Sequence, residues 1–183
     1  MKTNRIKKDR AILVAIDFQK RLIPVMKYAD DVESNAAKLI SGARVLGMEI
    51  LVTQQYTKGI GPTTARISSA LGEFEHIEKV TFSAMKTDEF VRALEESGAD
   101  TVIICGIETH ICVQQTVLDL LAAGYNVFVA ADCVSSRQKE AKELALRRME
   151  ESGAILTSHE AILFELLQSA KAPEFKQISA IIK

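Results

Sequence analysis

The sequence predicts an α/β fold in which helices cover both faces of a parallel sheet. Three observations carry that expectation. Short apolar runs rich in valine and isoleucine recur at residues 11–17 (AILVAID), 101–106 (TVIICG) and 126–132 (NVFVAAD), too short for free-standing helices and too uniformly apolar for strands with one wet face. Amphipathic stretches of helical period separate them, which is the alternation a βαβ architecture requires. Finally, 183 residues with 48% apolar and 26% charged side chains match a globular chain of one domain, residues 1–183, with no linker, repeat or low-complexity stretch.

The elements follow in order. Residues 1–9 read as a solvated basic arm, with Lys2, Arg5, Lys7 and Lys8 followed by Arg10. After the first strand, Val32, Ala36, Leu39, Ile40, Ala43 and Leu46 recur at helical spacing and Gly47 stops the helix. Residues 49–53 (EILVT) and 77–80 are the second and third strands. Thr87 is placed to cap a helix with Asp88 and Glu89 in its first turn, and Gly98 lies beyond its end. Residues 112–123 are helical up to Gly124. Ser136 can cap a helix running to Ser152, and residues 154–157 (AILT) give a sixth strand. A helix at 160–169 follows, and Pro173 lies in a C-terminal segment, 171–183, for which a helix is one reading.

Composition also excludes several function classes. Lys plus Arg is 23 against 24 for Asp plus Glu, a net charge of −1, so no basic excess points to nucleic acid. No apolar run reaches the ~20 residues that cross a bilayer and no signal-peptide core opens the chain, so a soluble cytoplasmic protein is expected. Cys105, Cys112 and Cys133 are odd in number and show no CxxC spacing, which speaks against a disulfide framework. His76, His110 and His159 are scattered, so neither a metal nor a cofactor is expected, and the partner is a small-molecule substrate.

In open parallel sheets ligands bind beyond the carboxyl ends of the strands. Asp17 ends the first run, Lys79 lies in the third, and Cys112 follows the fourth at the start of a helix. Unsatisfied N–H groups and the helix dipole favour a thiolate there, a nearby lysine would lower its pKa further, and a carboxylate could take its proton. Each residue also has a plainer reading. Asp17 could cap a turn, Lys79 could sit on the surface, and Cys112 could be a small packing residue.

Four segments weigh between these readings: residues 106–116 (GIETHICVQQT), 14–19 (VAIDFQ), 79–84 (KVTFSA) and 131–137 (ADCVSSR). Together they resemble, in the same order, the landmarks of the isochorismatase-like cysteine hydrolases, over roughly residues 10–167. The resemblance implies a three-layer sandwich whose six-stranded parallel sheet has the order 3-2-1-4-5-6. It implies a triad of Asp17, Lys79 and Cys112, a cis peptide between Ile107 and Glu108, and an oxyanion hole formed by the Glu108 and Cys112 N–H groups. The implied chemistry is hydrolysis of a small amide through a Cys112 thioester, by a homo-oligomer, a dimer or larger. A scaffold that keeps the fold with little turnover is the alternative, and a thiol-redox sensor centred on Cys112 is a third reading.

The nicotinamidases of that family hold a metal through histidines and an acid after the second strand. Residues 53–63 (TQQYTKGIGPT) contain neither, so no metal is expected. This stretch looks instead like the isochorismatase domain-containing proteins. Gln55, Tyr56 and Gly61 would then shape the pocket, or Gly59, Gly61 and Pro62 simply make a rigid loop. Phe82 walls the pocket or belongs to the core. His110 meets substrate or a neighbouring subunit, or faces solvent. Arg137 binds a carboxylate or lies on the first turn of a surface helix. Cys105 and Cys133 are expected to be packing residues.

Overall fold

A computed structural model describes residues 5–183, so Lys2 of the basic arm lies outside the described residues. The strands are β1 (Ala11–Ile16), β2 (Ile50–Gln55), β3 (Ile77–Lys79), β4 (Thr101–Ile107), β5 (Asn126–Ser135) and β6 (Ile155–Thr157). All neighbours pair in parallel, as the apolar runs predict, and in the order β3-β2-β1-β4-β5-β6 that the resemblance implies. The helices are α1 (Ala29–Val45), α2 (Thr57–Ile60), α3 (Ala65–Leu71), α4 (Asp88–Glu96), α5 (Gln114–Ala122), α6 (Lys139–Glu151), α7 (His159–Leu167) and α8 (Phe175–Ile182).

Strand alternation splits the core in two. From β1, Leu13 and Ala15 pack with Leu39 of α1, Ile67 of α3, Ile162 of α7 and Ile178 of α8. Ile12, Val14 and Ile16 face the other way, with Phe90 of α4, Val117 of α5 and Met149 of α6. Every residue of β1 is buried, which explains its unbroken apolar run. Each such large side chain contributes ~1.5–3 kcal/mol relative to exposure. The strand order reverses between β1 and β4, so the crevice past their carboxyl ends lies between Asp17 and the segment that follows Ile107.

Several local expectations are corrected. Ser136 caps no helix; α6 starts at Lys139 after Gln138, and the Ser136 hydroxyl goes to His110 instead. Thr87 precedes α4 without a capping bond, because its hydroxyl pairs with that of Thr81. The helix after β4 opens with a π-helical turn, Thr109–Val113, so Cys112 lies inside that turn. β5 runs on to Ser135 through an irregularity: its register against β4 jumps from Ile104 opposite Val129 to Gly106 opposite Val134. α2 and α3 were not foreseen, since neither is long enough to display a period. The basic arm is solvated at Arg5, Lys7 and Lys8, but Ile6 is buried and its N–H is taken by Glu165. Among the described residues no helix is long and apolar enough to cross a membrane.

Candidate active site

Asp17 stands one residue past β1 in the left-handed region, at φ 53°, and is fully buried. A buried carboxylate needs partners on both oxygens. Thr53, next to it on β2, donates its hydroxyl to Oδ1 at 2.7 Å, and Lys79 Nζ donates to Oδ2 at 2.7 Å. Both side chains of this ion pair are wholly shielded from solvent. Lys79 ends the edge strand β3 and turns inward, where Nζ also donates to Gln55 Oε1, Thr81 O and Phe82 O at 3.2 Å each. A lone buried ammonium would be prohibitive, and these four acceptors make it tenable.

Cys112 is 7% exposed and close enough to feel both charges. Burial pushes its thiol up to about 12; the Asp17 carboxylate adds to the rise, and Lys79 pulls against it. The thiolate expected from the helix start and the lysine is therefore not the resting form. Loss of hydration and one nearby negative charge outweigh the ammonium.

β4 ends with Gly106 and Ile107, and a cis peptide between Ile107 and Glu108 opens the segment that leads to Cys112. The Glu108 carbonyl accepts the N–H groups of Ile111 at 3.0 Å and Val113 at 3.3 Å. Its own N–H has no protein acceptor among the described residues. The Glu108 carboxylate, nearly buried, accepts Arg137 Nε at 3.1 Å and the Arg137 backbone N–H at 3.2 Å. Arg137 is thus paired within the chain, although most of its side chain stays exposed.

The residues expected to line a pocket divide into two groups. Gln55 and Phe82 meet at Lys79, through a side-chain oxygen and a carbonyl; the Phe82 ring is half exposed rather than in the core. Tyr56 is half exposed at φ 36°, and its ring lies so close to Gly59 that a Cβ there would clash. On the other side His110 is half buried, with Nδ1 2.9 Å from Ser136 Oγ, so it does not simply face solvent. His110 and Arg137 line a cleft of about 300 Å³ with Gln138 and Ala141.

Sequence reasoning missed Thr53 and Gln19. Thr53 ends its apolar run just as Asp17 ends the first, so a search for polar strand ends would have found it. Gln19 is fully buried and cross-links the loops, taking the Gln55 N–H at 2.8 Å and donating to Gln55 O and Gly61 O at 2.9 and 2.7 Å. Gln19 closes the segment 14–19 (VAIDFQ), but nothing in the sequence shows which loops it braces.

A second cluster, Asp132, Cys133 and His159, brings possible ligand atoms within 4.8 Å of one another. Hydrogen bonding accounts for it. Asp132 accepts the His159 N–H on Oδ1 at 3.0 Å and pairs Oδ2 with His159 Nδ1 at 2.6 Å. Lys142 feels the same carboxylate and thiol, and burial holds Cys133 well above the usual thiol range. The cluster joins the end of β5 to the start of α7. Cys105, also fully buried, donates to Val14 O across the strands at 3.7 Å.

An open parallel sheet with a buried carboxylate–ammonium pair and a thiol at its switch point matches the α/β architecture and site layout that the four sequence landmarks imply. Residues 11–161 match the isochorismatase domain, and the chain belongs to that family. It is 38% identical to isochorismatase domain-containing protein 1 of Salmo salar, over 94% of this chain and 60% of that protein. With isochorismatase domain-containing protein 2 of Xenopus laevis it shares 36% identity, over 94% of this chain and 83% of the relative. The chain thus spans about three-fifths of the length of the first of these relatives. Among solved structures it is similar to one described as the MAR1 ribonuclease of Caenorhabditis elegans, with 36% identity, a TM-score of 0.91, and coverage of 97% of this chain and 92% of that one. YcaC from Pseudomonas aeruginosa shares the fold, with a TM-score of 0.93 at 24% identity, covering 100% of this chain and 92% of its own.

Proposed function

We propose that the chain is a metal-independent cysteine hydrolase that cleaves the C–N bond of a small amide through a Cys112 thioester. The observation that carries the reading is the wholly buried Asp17–Lys79 pair beside the Cys112 thiol, an arrangement that a scaffold does not need. Asp17 accepts the thiol proton as sulfur attacks the carbonyl carbon. The oxyanion of the tetrahedral intermediate takes hydrogen bonds from the Glu108 and Cys112 N–H groups, and losing one such donor typically costs ~10²–10³ in rate. Collapse breaks the C–N bond, and the leaving amine takes the proton from Asp17. Asp17 then removes a proton from water, which attacks the thioester and releases a carboxylic acid and the thiol. Lys79 holds the carboxylate in place and offsets its charge. The stretch 53–63, with no histidine or acid, supports a reaction without a metal.

With a net charge of −1 and a thiol only 7% exposed, the chain suits a compact carbonyl compound better than a polynucleotide. The test is a panel of small amides, with RNA as a competing substrate. Cys112→Ala is expected to lower amide turnover by on the order of 10³-fold or more, and acid quench of the wild type should trap an acyl adduct on the Cys112 peptide. Undiminished turnover in the alanine variant would rule out the thioester. No turnover of any amide together with an inert Cys112 would support the scaffold reading.

The protein is also proposed to be a homo-oligomer. Val25, Tyr28, Tyr56, Val80 and Phe82 are exposed, and all lie in the segments that follow β1, β2 and β3. Size-exclusion chromatography with light scattering should give at least twice the 20.1 kDa chain mass, and a monomer would count against it.

A further inference from the structure

Helix α5 grips the loop after β3 at two consecutive residues. Thr116, fully buried one turn into the helix, donates its hydroxyl to the Cys112 carbonyl at 2.7 Å and accepts the Ala84 N–H at 3.0 Å. One turn further on, Asp119 accepts the Ser83 hydroxyl at 2.7 Å, with Lys86 Nζ 3.6 Å from the same oxygen. The residues just before Ser83 are Thr81 and Phe82, whose carbonyls hold Lys79 Nζ. A continuous path therefore runs from the ammonium through residues 81–84 to Thr116, and from its hydroxyl to the backbone of Cys112.

A helical threonine often bonds the carbonyl four residues back, so the bond to Cys112 alone says little. The second bond is different, because it reaches another element 32 residues away. A hydroxyl has one hydrogen to give and lone pairs to receive, so a single oxygen can serve both loops at once. Valine, of nearly the same shape, can serve neither.

We propose that Thr116 is a positioning residue that sets the register between the Lys79 loop and the Cys112 loop, and so the placement of the ammonium relative to the thiol. It touches neither the substrate nor the reacting atoms. The proposal rests on the reading of Cys112 as nucleophile and Lys79 as its cationic neighbour.

The test is alkylation of the full chain by iodoacetamide from neutral to alkaline pH, resolved to the Cys112 peptide by mass spectrometry. Melting curves are recorded for every variant. Thr116→Val is expected to move the alkylation midpoint to higher pH and to slow the reaction roughly tenfold at a fixed pH below it, since small misplacements of a supporting group cost one to two orders of magnitude. Thr116→Ser, which keeps the hydroxyl, should return the profile to within about twofold of wild type. Thr116→Ala serves in place of the valine variant if that one does not fold. A lowered melting temperature with an unchanged pH profile would overturn the proposal and leave Thr116 a structural residue. Lys79→Met is the reference. If it shifts the midpoint upward and Thr116→Val does not, only the role of Thr116 fails. If Lys79→Met itself leaves the profile unchanged, the reading of the site fails and the proposal with it.

Discussion

Replacing Asp17 with asparagine is expected to move two readouts of Cys112 in opposite directions: alkylation at neutral pH speeds up, and amide turnover falls by ~10²–10⁴-fold. The sign follows from what acts on the thiol. Burial raises it most, the Asp17 carboxylate raises it further, and Lys79 lowers it, with a net result of about 12. Asparagine removes the negative charge and leaves the ammonium unopposed, so the midpoint of alkylation drops and more thiolate is present at any pH below it. Turnover falls because the amide side chain cannot accept the thiol proton or return one to the leaving amine. Lys79→Met acts in the reverse sense on the thiol, since it leaves the carboxylate unopposed. Stability changes as well. Removing one partner of a buried ion pair typically costs ~3–5 kcal/mol. Asparagine can still accept from Thr53, and Lys79 keeps Gln55 Oε1, Thr81 O and Phe82 O, so the lower end of that range is expected. Peptide-resolved alkylation, urea unfolding and an amide assay on one preparation check all three. A midpoint that stays at the wild-type pH would sink the coupling of Asp17 to the thiol.

Some parts of this site can be read from the sequence and others cannot. Asp17 and Cys112 were legible as strand-end and post-strand residues, because a parallel sheet aims the ends of its strands at one crevice. Lys79 was legible as a candidate in the third run, but its burial was not. It sits in a three-residue edge strand between an exposed glutamate and an exposed valine, a context that reads as surface. Its burial comes from the loop that folds over it and supplies carbonyls, and backbone acceptors leave no mark on residue identity. The same blindness hid the pairing of Arg137 with Glu108 and of Ser136 with His110, each between residues 26 to 29 positions apart. The pattern of apolar runs was a sound guide to the sheet, since periodicity is set by burial. It was a poor guide to helix starts. At Ser136 and Thr87 the capping residue types are present, but their hydroxyls have found tertiary partners. The sign of the thiol shift was misjudged for a related reason: sequence shows the charges that will be nearby, and only the fold shows how much water has been removed.

Gly106→Ala tests how tightly that crevice is built, and it is expected to be among the most damaging single-methyl additions in the chain. A Cβ at Gly106 would lie 2.4 Å from the Ile16 carbonyl oxygen and 2.6 Å from Ile16 Cβ. The nearest obstacle is backbone of the central strand β1, which cannot swing aside as the end of a flexible side chain can. In addition, φ at Gly106 is 143°, a conformation that disfavours any L side chain. The close approach has a functional geometry. Gly106 pairs with Ile16, the residue before Asp17, and directly precedes Ile107, where the cis peptide leads to Glu108. Any separation of β4 from β1 here would draw the Glu108 N–H and Cys112 away from the carboxylate together. Overpacking and a strained backbone combined imply a loss of roughly 3 kcal/mol or more. At about 2–4 °C per kcal/mol for a chain of this size, the melting temperature should fall by at least roughly 6–12 °C. Gly124→Ala is the control. It also has a positive φ, of 90°, but nothing stands within 4 Å of its Cβ position, so it isolates backbone strain and should cost only about 1 kcal/mol. Equal losses in the two variants would mean that the contact with Ile16 is relieved by a small shift of the strands, and that the spacing between β1 and β4 is softer than the packing implies.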